Sequence, residues 1–149
     1  MPHKVDRSAL VLHSARDMYG LVNDVRSYPL FLPWCSSAVI HEESYQSDGG
    51  IVLATLEVAK GGVRHQFTTR NLLLEPETIR IELIDGPFST LSGLWSFSEL
   101  SPEACKIALS LQFDFQGPLA KMAFGPVFSQ AANTMVDAFC KRANEIYVK

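Results

Sequence analysis

The amino-acid sequence predicts an α+β fold in which a curved antiparallel sheet of six to seven strands surrounds one long C-terminal helix, with two short helices after the first strand. The C-terminal residues repeat apolar side chains at three- and four-residue steps, the pattern of an amphipathic helix. Upstream, segments of alternating polar and apolar residues are separated by short turns rich in glycine and proline. Such short connections imply antiparallel neighbours, and only the C-terminal helix is long enough to cover the apolar face of the sheet.

The predicted C-terminal helix starts at Pro118, because proline at a first helical position loses no hydrogen bond. At about 1.5 Å per residue the run would be roughly 45 Å long, which is enough to cross a domain of this size. Pro126 lies inside the pattern, where its ring would clash with the carbonyl group of Met122. We therefore expect a helix that is kinked, or divided into two pieces, at Gly125-Pro126. Its apolar stripe comprises Phe124, Phe128, Ala131, Met135, Phe139, Ala143 and Ile146.

The N-terminal part is predicted to contain one strand and two short helices. Branched residues indicate a strand over residues 4–12, and Ser14 is a suitable N-cap for the first helix. A second, short helical segment is expected over residues 24–28. Pro29 and Pro33 are then expected to break the chain into turns.

Six further strands are predicted to form a meander, over residues 39–45, 51–59, 63–74, 78–84, 89–100 and 105–115. The turns between them are predicted at Asp48-Gly49-Gly50, Lys60-Gly61-Gly62, Glu75-Pro76-Glu77, Asp85-Gly86-Pro87 and Ser101-Pro102-Glu103. The sequence contains no internal repeat, low-complexity segment or linker. Residues 1–149 are therefore interpreted as a single domain.

The composition is richer in apolar residues and poorer in charge than that of an ordinary soluble domain, at 47% hydrophobic and 19% charged. This surplus could line an internal cavity, form an outer patch or reflect a dense core. The net charge of −3 argues against nonspecific binding to nucleic-acid phosphates. The sequence shows no apolar run long enough for a transmembrane helix, no secretory signal and no transit peptide. Three well-separated cysteines indicate free thiols in a reducing compartment, and we expect a cytoplasmic location or one at the inner face of the cytoplasmic membrane.

No catalytic or metal-binding motif is found in the sequence. None of the four histidines lies within four residues of another histidine or of a cysteine, so a zinc site is not expected. Nucleophile-elbow, phosphate-loop and dinucleotide-binding fingerprints are also missing. The sequence therefore favours a non-enzymatic protein that requires no cofactor.

An aromatic segment with two prolines, residues 28–35, is the first candidate for a binding site. One interpretation is a hydrophobic plug that closes one end of the core. The other is a stiff apolar lip over a pocket between helix and sheet, since ligand pockets are lined by aromatic and aliphatic side chains. Cys35 is expected to be a buried small hydrophobe in preference to a reactive thiol. The candidate ligand contacts in this segment are Tyr28, Phe31, Leu32, Trp34 and Cys35.

A second candidate lies in residues 85–97, where small residues alternate with large apolar ones. Trp95 is predicted to face the helix, and a core role is favoured over stacking on a ligand ring because large aromatic side chains are usually buried. Its indole N–H needs a partner when buried. The same two interpretations apply to the other large residues on the inner surfaces. The remaining candidate ligand contacts are Phe67, Phe88, Leu91, Phe113, Phe128 and Met135.

Three motifs resemble those of a known family. Residues 21–35 read LVNDVRSYPLFLPWC and residues 86–97 read GPFSTLSGLWSF. The chain ends with Ala138-Phe139, Arg142-Ala143 and Tyr147 at the family's spacing. In these segments the chain resembles the coenzyme Q-binding and ribosome association toxin (RatA) family of the START-like (polyketide cyclase/lipid transport) superfamily. One difference is Val148, which replaces the glycine that commonly follows the terminal tyrosine.

The resemblance implies a START-like helix-grip fold and a hydrophobic ligand, ubiquinone or a lipid, bound without catalysis in support of respiratory electron transport. It also implies an alternative, which ranks second, in which the protein binds the large ribosomal subunit and blocks subunit joining. An aromatic polyketide cyclase-like enzyme is a third alternative, because cyclases share this fold. The matching motif positions transfer as pocket-lining residues and no catalytic residue transfers. Peripheral membrane contact and the oligomeric state stay open, and a bacterial member is favoured over a mitochondrial one.

Overall fold

Seven antiparallel strands form one sheet in the computed structural model, which describes residues 3–74 and 77–147. The strand order is β1-β7-β6-β5-β4-β3-β2, so the chain runs as a meander from β2 to β7 and β1 pairs with β7. This confirms the predicted α+β architecture. The strands span β1 His3–Val11, β2 Cys35–Gln46, β3 Gly49–Lys60, β4 Val63–Leu74, β5 Thr78–Asp85, β6 Phe88–Ser101 and β7 Ala104–Phe115.

Two short helices follow β1, as predicted. Helix α1 spans Ala15–Asn23, and Ser14 caps it because its hydroxyl oxygen accepts a hydrogen bond from the Asp17 N–H at 3.0 Å. A 3-10 turn at Val25–Ser27 leads directly into α2, Tyr28–Phe31. The expectation that Pro29 breaks the chain was therefore wrong. Pro29 lies in the first turn of α2, where a backbone N–H is not required.

The C-terminal helix α3 is one element, Pro118–Ile146, and it continues through Pro126. The alternative of two helical pieces was wrong. Phe124 and Phe128, on either side of the proline, are both buried, and this packing holds the helix together although one backbone hydrogen bond is lost. The predicted stripe faces the sheet, except that Met135 is only half-buried and Ile146 is 42% exposed.

The first hairpin differs from the prediction in the position of its turn. Residues 47–48 form the turn, and Gly49 and Gly50 already belong to β3. A side chain at these positions would collide with the carbonyl oxygens of Leu73 and Ser44, respectively. The glycines are therefore needed for close approach of neighbouring strands, not for a turn. The second hairpin turn is confirmed, and Gly61 and Gly62 have φ angles of 60° and 83°. Glu75 and Pro76 of the third predicted turn lie outside the described residues.

Strand β2 is longer than predicted and irregular. It begins at Cys35 and contains two register shifts against β3, between Cys35 and Ser37 and between Ile40 and Glu42. Such bulges bend a strand and increase its twist. They help to curve this side of the sheet around α3.

The core lies between the inner face of the sheet and α3. Successive inward positions pair across the strands: Ile79 with Trp95, and Trp95 with Leu109. Phe139 of α3 is fully buried against this layer. No helix within residues 3–74 and 77–147 combines the length and apolar character needed to cross a membrane.

Candidate functional site

An apolar cavity of about 60 Å³ lies between the sheet, α3 and the segment from α1 to α2. Every second residue of a strand points to the same face, so β3 to β7 each contribute one or more inward side chains to its floor. Helix α3 forms the opposite wall. The lining residues are Val22, Val25, Tyr28, Ala54, Leu56, Phe67, Thr69, Asn71, Ile79, Ile81, Leu91, Trp95, Leu109, Leu111, Phe128 and Met135.

The cavity is smaller than an ordinary ligand pocket, which typically has a volume of about 300–1,000 Å³. It exceeds the minimum of about 10–15 Å³ needed to hold one water molecule. Binding of a larger molecule therefore requires lining side chains to move. Met135 on α3 is suited to this because it is half-buried and its unbranched side chain adopts many conformations.

The lining carries polar atoms but no Lys, Arg, Asp or Glu side chain, among the residues described. Thr69 and Asn71 are neighbouring inward positions of β4, and the Thr69 hydroxyl donates to the Asn71 side-chain oxygen at 3.2 Å. The Tyr28 hydroxyl donates to the carbonyl oxygen of Val22. Burial raises the pKa of Tyr28, so this phenol is neutral at physiological pH. The cavity is thus uncharged.

The double-proline segment contributes only Tyr28 to the cavity. Leu32, Trp34 and Cys35 are buried in the core, and Trp34 lies outside the cavity, beside Val127 and Ala131 of α3. Most of the segment therefore closes the core, as the plug interpretation describes.

Phe31 packs on α3 outside the cavity. Its ring centroid lies 5.2 Å from that of Phe139, and the Arg142 guanidinium lies over the Phe31 ring, 5.3 Å from its centroid. This stacking places a cation at a surface groove between α2 and α3, lined by Leu30, Phe31, Pro33, Ala138, Lys141, Arg142 and Glu145.

The Cys35 thiol is buried, and it donates a weak hydrogen bond to the carbonyl oxygen of Ser37 at 3.4 Å. Burial raises the pKa of Cys35 to about 11. The thiolate is the reactive form of cysteine, so this thiol is unreactive at neutral pH.

Phe88 and Phe113 were expected to contact a ligand, but they lie at the end of the cavity within an aromatic cluster. Each has its ring 4.8 Å from that of Phe128. Phe124 also packs against Phe88, at 5.6 Å. The cluster seals this end of the space between the sheet and the first half of α3.

Six of the expected residues line the cavity: Tyr28, Phe67, Leu91, Trp95, Phe128 and Met135. Sequence reasoning missed the polar pair Thr69 and Asn71. A signal for them was present, because both share strand parity with the apolar residues Phe67 and Leu73 and so point inward. A polar pair on an apolar strand face is the feature that would have identified them.

A polar network joins the outer side of the cavity wall to β2. Arg26 forms an ion pair with Glu43 at 2.8 Å, and the Tyr45 hydroxyl donates to the same carboxylate at 3.1 Å. The hydrogen bond from Arg26 lowers the pKa of Glu43, so the pair is fully charged at neutral pH. Asn23 donates to Tyr45 at 3.5 Å. We call these four residues the clasp.

A family model described as polyketide cyclase / dehydrase and lipid transport matches residues 11–140. The chain is 50% identical over 147 residues to the ribosome association toxin RatA of Pseudomonas aeruginosa, covering 99% of both proteins. It is 30% identical over 138 residues to the mitochondrial coenzyme Q-binding protein COQ10 homolog B of Xenopus laevis, covering 90% of this chain and 55% of that protein.

Among solved structures, an aromatase/cyclase from a Streptomyces species superposes with a TM-score of 0.78, at 18% identity, covering 97% of this chain and 95% of that one. At this level of identity the likeness shows the fold alone. The extent of the family match and the identity to the RatA protein show more than the fold, because they establish the family. The chain belongs to the polyketide cyclase/dehydrase and lipid transport family, in the group that contains the ribosome association toxin RatA and the coenzyme Q-binding proteins.

Proposed function

We propose that the protein binds a neutral, largely apolar small molecule, a quinone or a lipid, in the cavity between the sheet and α3. The observation that carries this proposal is an uncharged, predominantly apolar cavity enclosed by the two main layers of the fold. Burial of apolar surface contributes about 25 cal/mol per Å², so a long hydrocarbon tail would gain several kcal/mol on leaving water. With a quinone as ligand, the protein would support respiratory electron transport without catalysing a reaction.

A bound molecule would occupy the present cavity and enlarge it. Met135 can change conformation with little strain, and Trp95 on the floor offers a large aromatic face for a ligand ring. Trp95 is 2% exposed, so contact with a ligand would change its fluorescence.

The proposal can be tested by filling the cavity. Ala54 is a buried lining residue of β3, and Ala54→Leu would occupy the space that a ligand needs. Ala123, on the exposed face of α3, provides the matched control Ala123→Leu. All variants would carry Trp34→Phe, because the chain has two tryptophans and this leaves Trp95 as the only reporter.

Titration with decylubiquinone should quench the Trp95 fluorescence of the parent and of the Ala123→Leu variant, but not of a folded Ala54→Leu variant. Mass spectrometry of an organic extract should identify a quinone or lipid that co-purifies with the parent and is lost from Ala54→Leu. Equal quenching of all three proteins, or none in the parent, would refute the proposal.

A second function is favoured by a separate observation, the 50% identity to a protein named ribosome association toxin RatA. We propose on this basis that the chain also associates with the ribosome, through the large subunit, and hinders subunit joining. The groove between α2 and α3 supports this, because Lys141 and Arg142 provide positive charge beside the exposed Leu30.

Sucrose-gradient profiles after overexpression test the ribosome function. We expect more free subunits and fewer whole ribosomes with the parent protein, and a smaller effect with Lys141→Glu. An unchanged subunit ratio with the parent would contradict this function. The Ala54→Leu variant separates the two proposals, since filling the cavity should leave the gradient profile unchanged if each function uses its own surface.

A further inference from the structure

The cavity contains hydrogen-bonding groups whose capacity the protein itself leaves unused. Asn71 is an inward residue of β4 that pairs with Val52 on one side and Ile81 on the other, both apolar. Placing polar side chains in an apolar layer is unfavourable unless their hydrogen bonds are made. A purely structural role for this position would be served better by an apolar side chain.

One hydrogen bond joins the two polar side chains, from the Thr69 hydroxyl to the Asn71 amide oxygen at 3.2 Å. The Asn71 side-chain nitrogen then keeps both of its N–H donors, and they have no partner among the described residues. If the amide is turned over, its nitrogen donates to Thr69 and still retains one N–H, while the Thr69 hydroxyl hydrogen becomes free. Either orientation leaves at least one unused donor in the polar pair.

Trp95 adds a donor of the same kind. Its indole N–H has no hydrogen-bond partner within residues 3–74 and 77–147, and the side chain is almost fully buried. Trp95 and Asn71 both line the cavity, on β6 and β4, with β5 between them. Trp95 is almost fully buried and Asn71 is half-buried, so the donors that the protein leaves unused around this cavity are available to an acceptor on a bound molecule.

The charge of the lining restricts which acceptor fits. A carboxylate or phosphate would be unpaired in the cavity, because its described lining has no basic side chain. An ammonium group would find no acidic partner there. A neutral oxygen, such as the carbonyl of a quinone, ketone or ester, can accept hydrogen bonds without introducing a charge.

We propose that Asn71, oriented by Thr69 and assisted by Trp95, recognises a neutral carbonyl oxygen of the bound molecule, and that the cavity selects carbonyl-bearing apolar molecules over both plain hydrocarbons and fatty-acid anions. This inference rests on the proposed ligand-binding function and specifies the chemical class of the ligand. Asn71 is thus a specificity-determining residue.

Three probes with the same alkyl tail test the inference: decylubiquinone, decylbenzene and decanoate. The parent protein, carrying Trp34→Phe, should bind decylubiquinone most tightly. Asn71→Leu, which is close in volume and removes the amide, should weaken decylubiquinone binding about tenfold, the value of one buried hydrogen bond. The same variant should bind decylbenzene as well as the parent does, or better.

Thr69→Val provides a second variant of nearly the same shape, and thermal unfolding would confirm that each variant is folded. We expect Thr69→Val to weaken decylubiquinone binding by a smaller factor, since Asn71 remains. Equal affinity of the parent for decylubiquinone and decylbenzene, tighter binding of decanoate, or an unchanged quinone affinity in folded Asn71→Leu would overturn the inference while ligand binding itself stands. Failure of the parent to bind all three probes would overturn the proposed function as well.

Discussion

Trp95 and Phe139 meet edge to face, with ring centroids 5.3 Å apart and ring planes at 85°. The contact joins β6 to α3 at the layer where the two main parts of the fold face each other, and both side chains are almost fully buried. Edge-to-face pairs contribute roughly 0.5–1.5 kcal/mol beyond the burial of their surface. Trp95 also lines the cavity, so this residue contributes both to the stability of the fold and to the candidate site.

Phe139→Ala should reduce the free energy of unfolding by about 3–5 kcal/mol, because it creates a hole in the core and removes three aromatic contacts, with Tyr28, Phe31 and Trp95. Urea denaturation followed by circular dichroism measures this loss. Ile146→Ala, at the 42% exposed end of the same helix, is the control and should change stability by much less. Similar losses for both variants would show that the Phe139 packing is not a main support of the fold.

Gly86→Ala should destabilise the protein by about 1–3 kcal/mol. Gly86 has a φ of 152°, and a Cβ atom there would lie 2.7 Å from the Cβ of Phe67. The matched control is Gly20→Ala in α1, where nothing lies within 4 Å of the added atom and the substitution should stabilise by roughly 0.5–1 kcal/mol. Thermal unfolding of the two variants should therefore shift in opposite directions, and a shift of Gly86→Ala to higher temperature would contradict the argument.

The stability of the protein should fall as the pH rises from about 9 to about 11. Burial raises the pKa of Cys35 and of Cys105 from the ordinary value of 9.0 to about 11 in each case. In this range the unfolded chain loses thiol protons that the folded chain retains, so deprotonation favours unfolding. Urea titrations across the range would measure the slope, which should be shallower in Cys35→Ala. An identical slope in that variant would exclude a contribution from Cys35.

The clasp holds the segment from α1 to α2, which forms one wall of the cavity, against β2, so Glu43→Gln should accelerate ligand uptake several-fold with little effect on stability. It breaks the Arg26–Glu43 ion pair of the clasp, and exposed ion pairs contribute little to stability, about 0–1 kcal/mol. Stopped-flow quenching of Trp95 by decylubiquinone gives the rate. Glu57→Gln is the matched control, since it breaks the Arg64–Glu57 pair on the outer face of the sheet. Equal acceleration by both substitutions would show that breaking the clasp does not control ligand entry into the cavity.

The clasp also predicts a pH dependence of uptake. The pKa of the Glu43 carboxyl is lowered, chiefly by its hydrogen bond from Arg26. The pair is therefore intact above the ordinary glutamate pKa and is lost as the pH falls through the lowered value. Uptake in the parent should accelerate only in that acidic range, whereas Glu43→Gln should show no such acceleration.

The sequence was sufficient for the architecture because its local signals agree with one another. Ser14 caps α1, the predicted strand of residues 63–74 is β4, and the glycines at 61 and 62 form a turn. The errors arose where tertiary contacts decide between local alternatives. Pro126 remains within α3 because the helix packs through Phe124 and Phe128, and this packing is not visible from the propensity of proline.

The candidate site was harder to predict because a cavity exists where side chains leave space unfilled, and a sequence pattern does not show where that happens. Phe113 has the strand parity of the lining residues Leu109 and Leu111, and Phe88 is buried beyond a register shift in β6, yet both rings pack against Phe128 at the end of the cavity. Only three-dimensional packing distinguishes the two groups. The polar pair Thr69 and Asn71 could have been noticed, but its significance depends on the apolar neighbours across β3 and β5.

The irregular edge strand β2 has a consequence for solubility. The edge of β2 that faces away from β3 has no partner strand among the described residues. An unpaired edge can pair with a strand of a second chain. The two bulges of β2 disturb the regular spacing that such addition needs, and Glu42 places negative charge beside it. The bulges that bend the sheet around its helix therefore also disfavour aggregation through the free edge of β2.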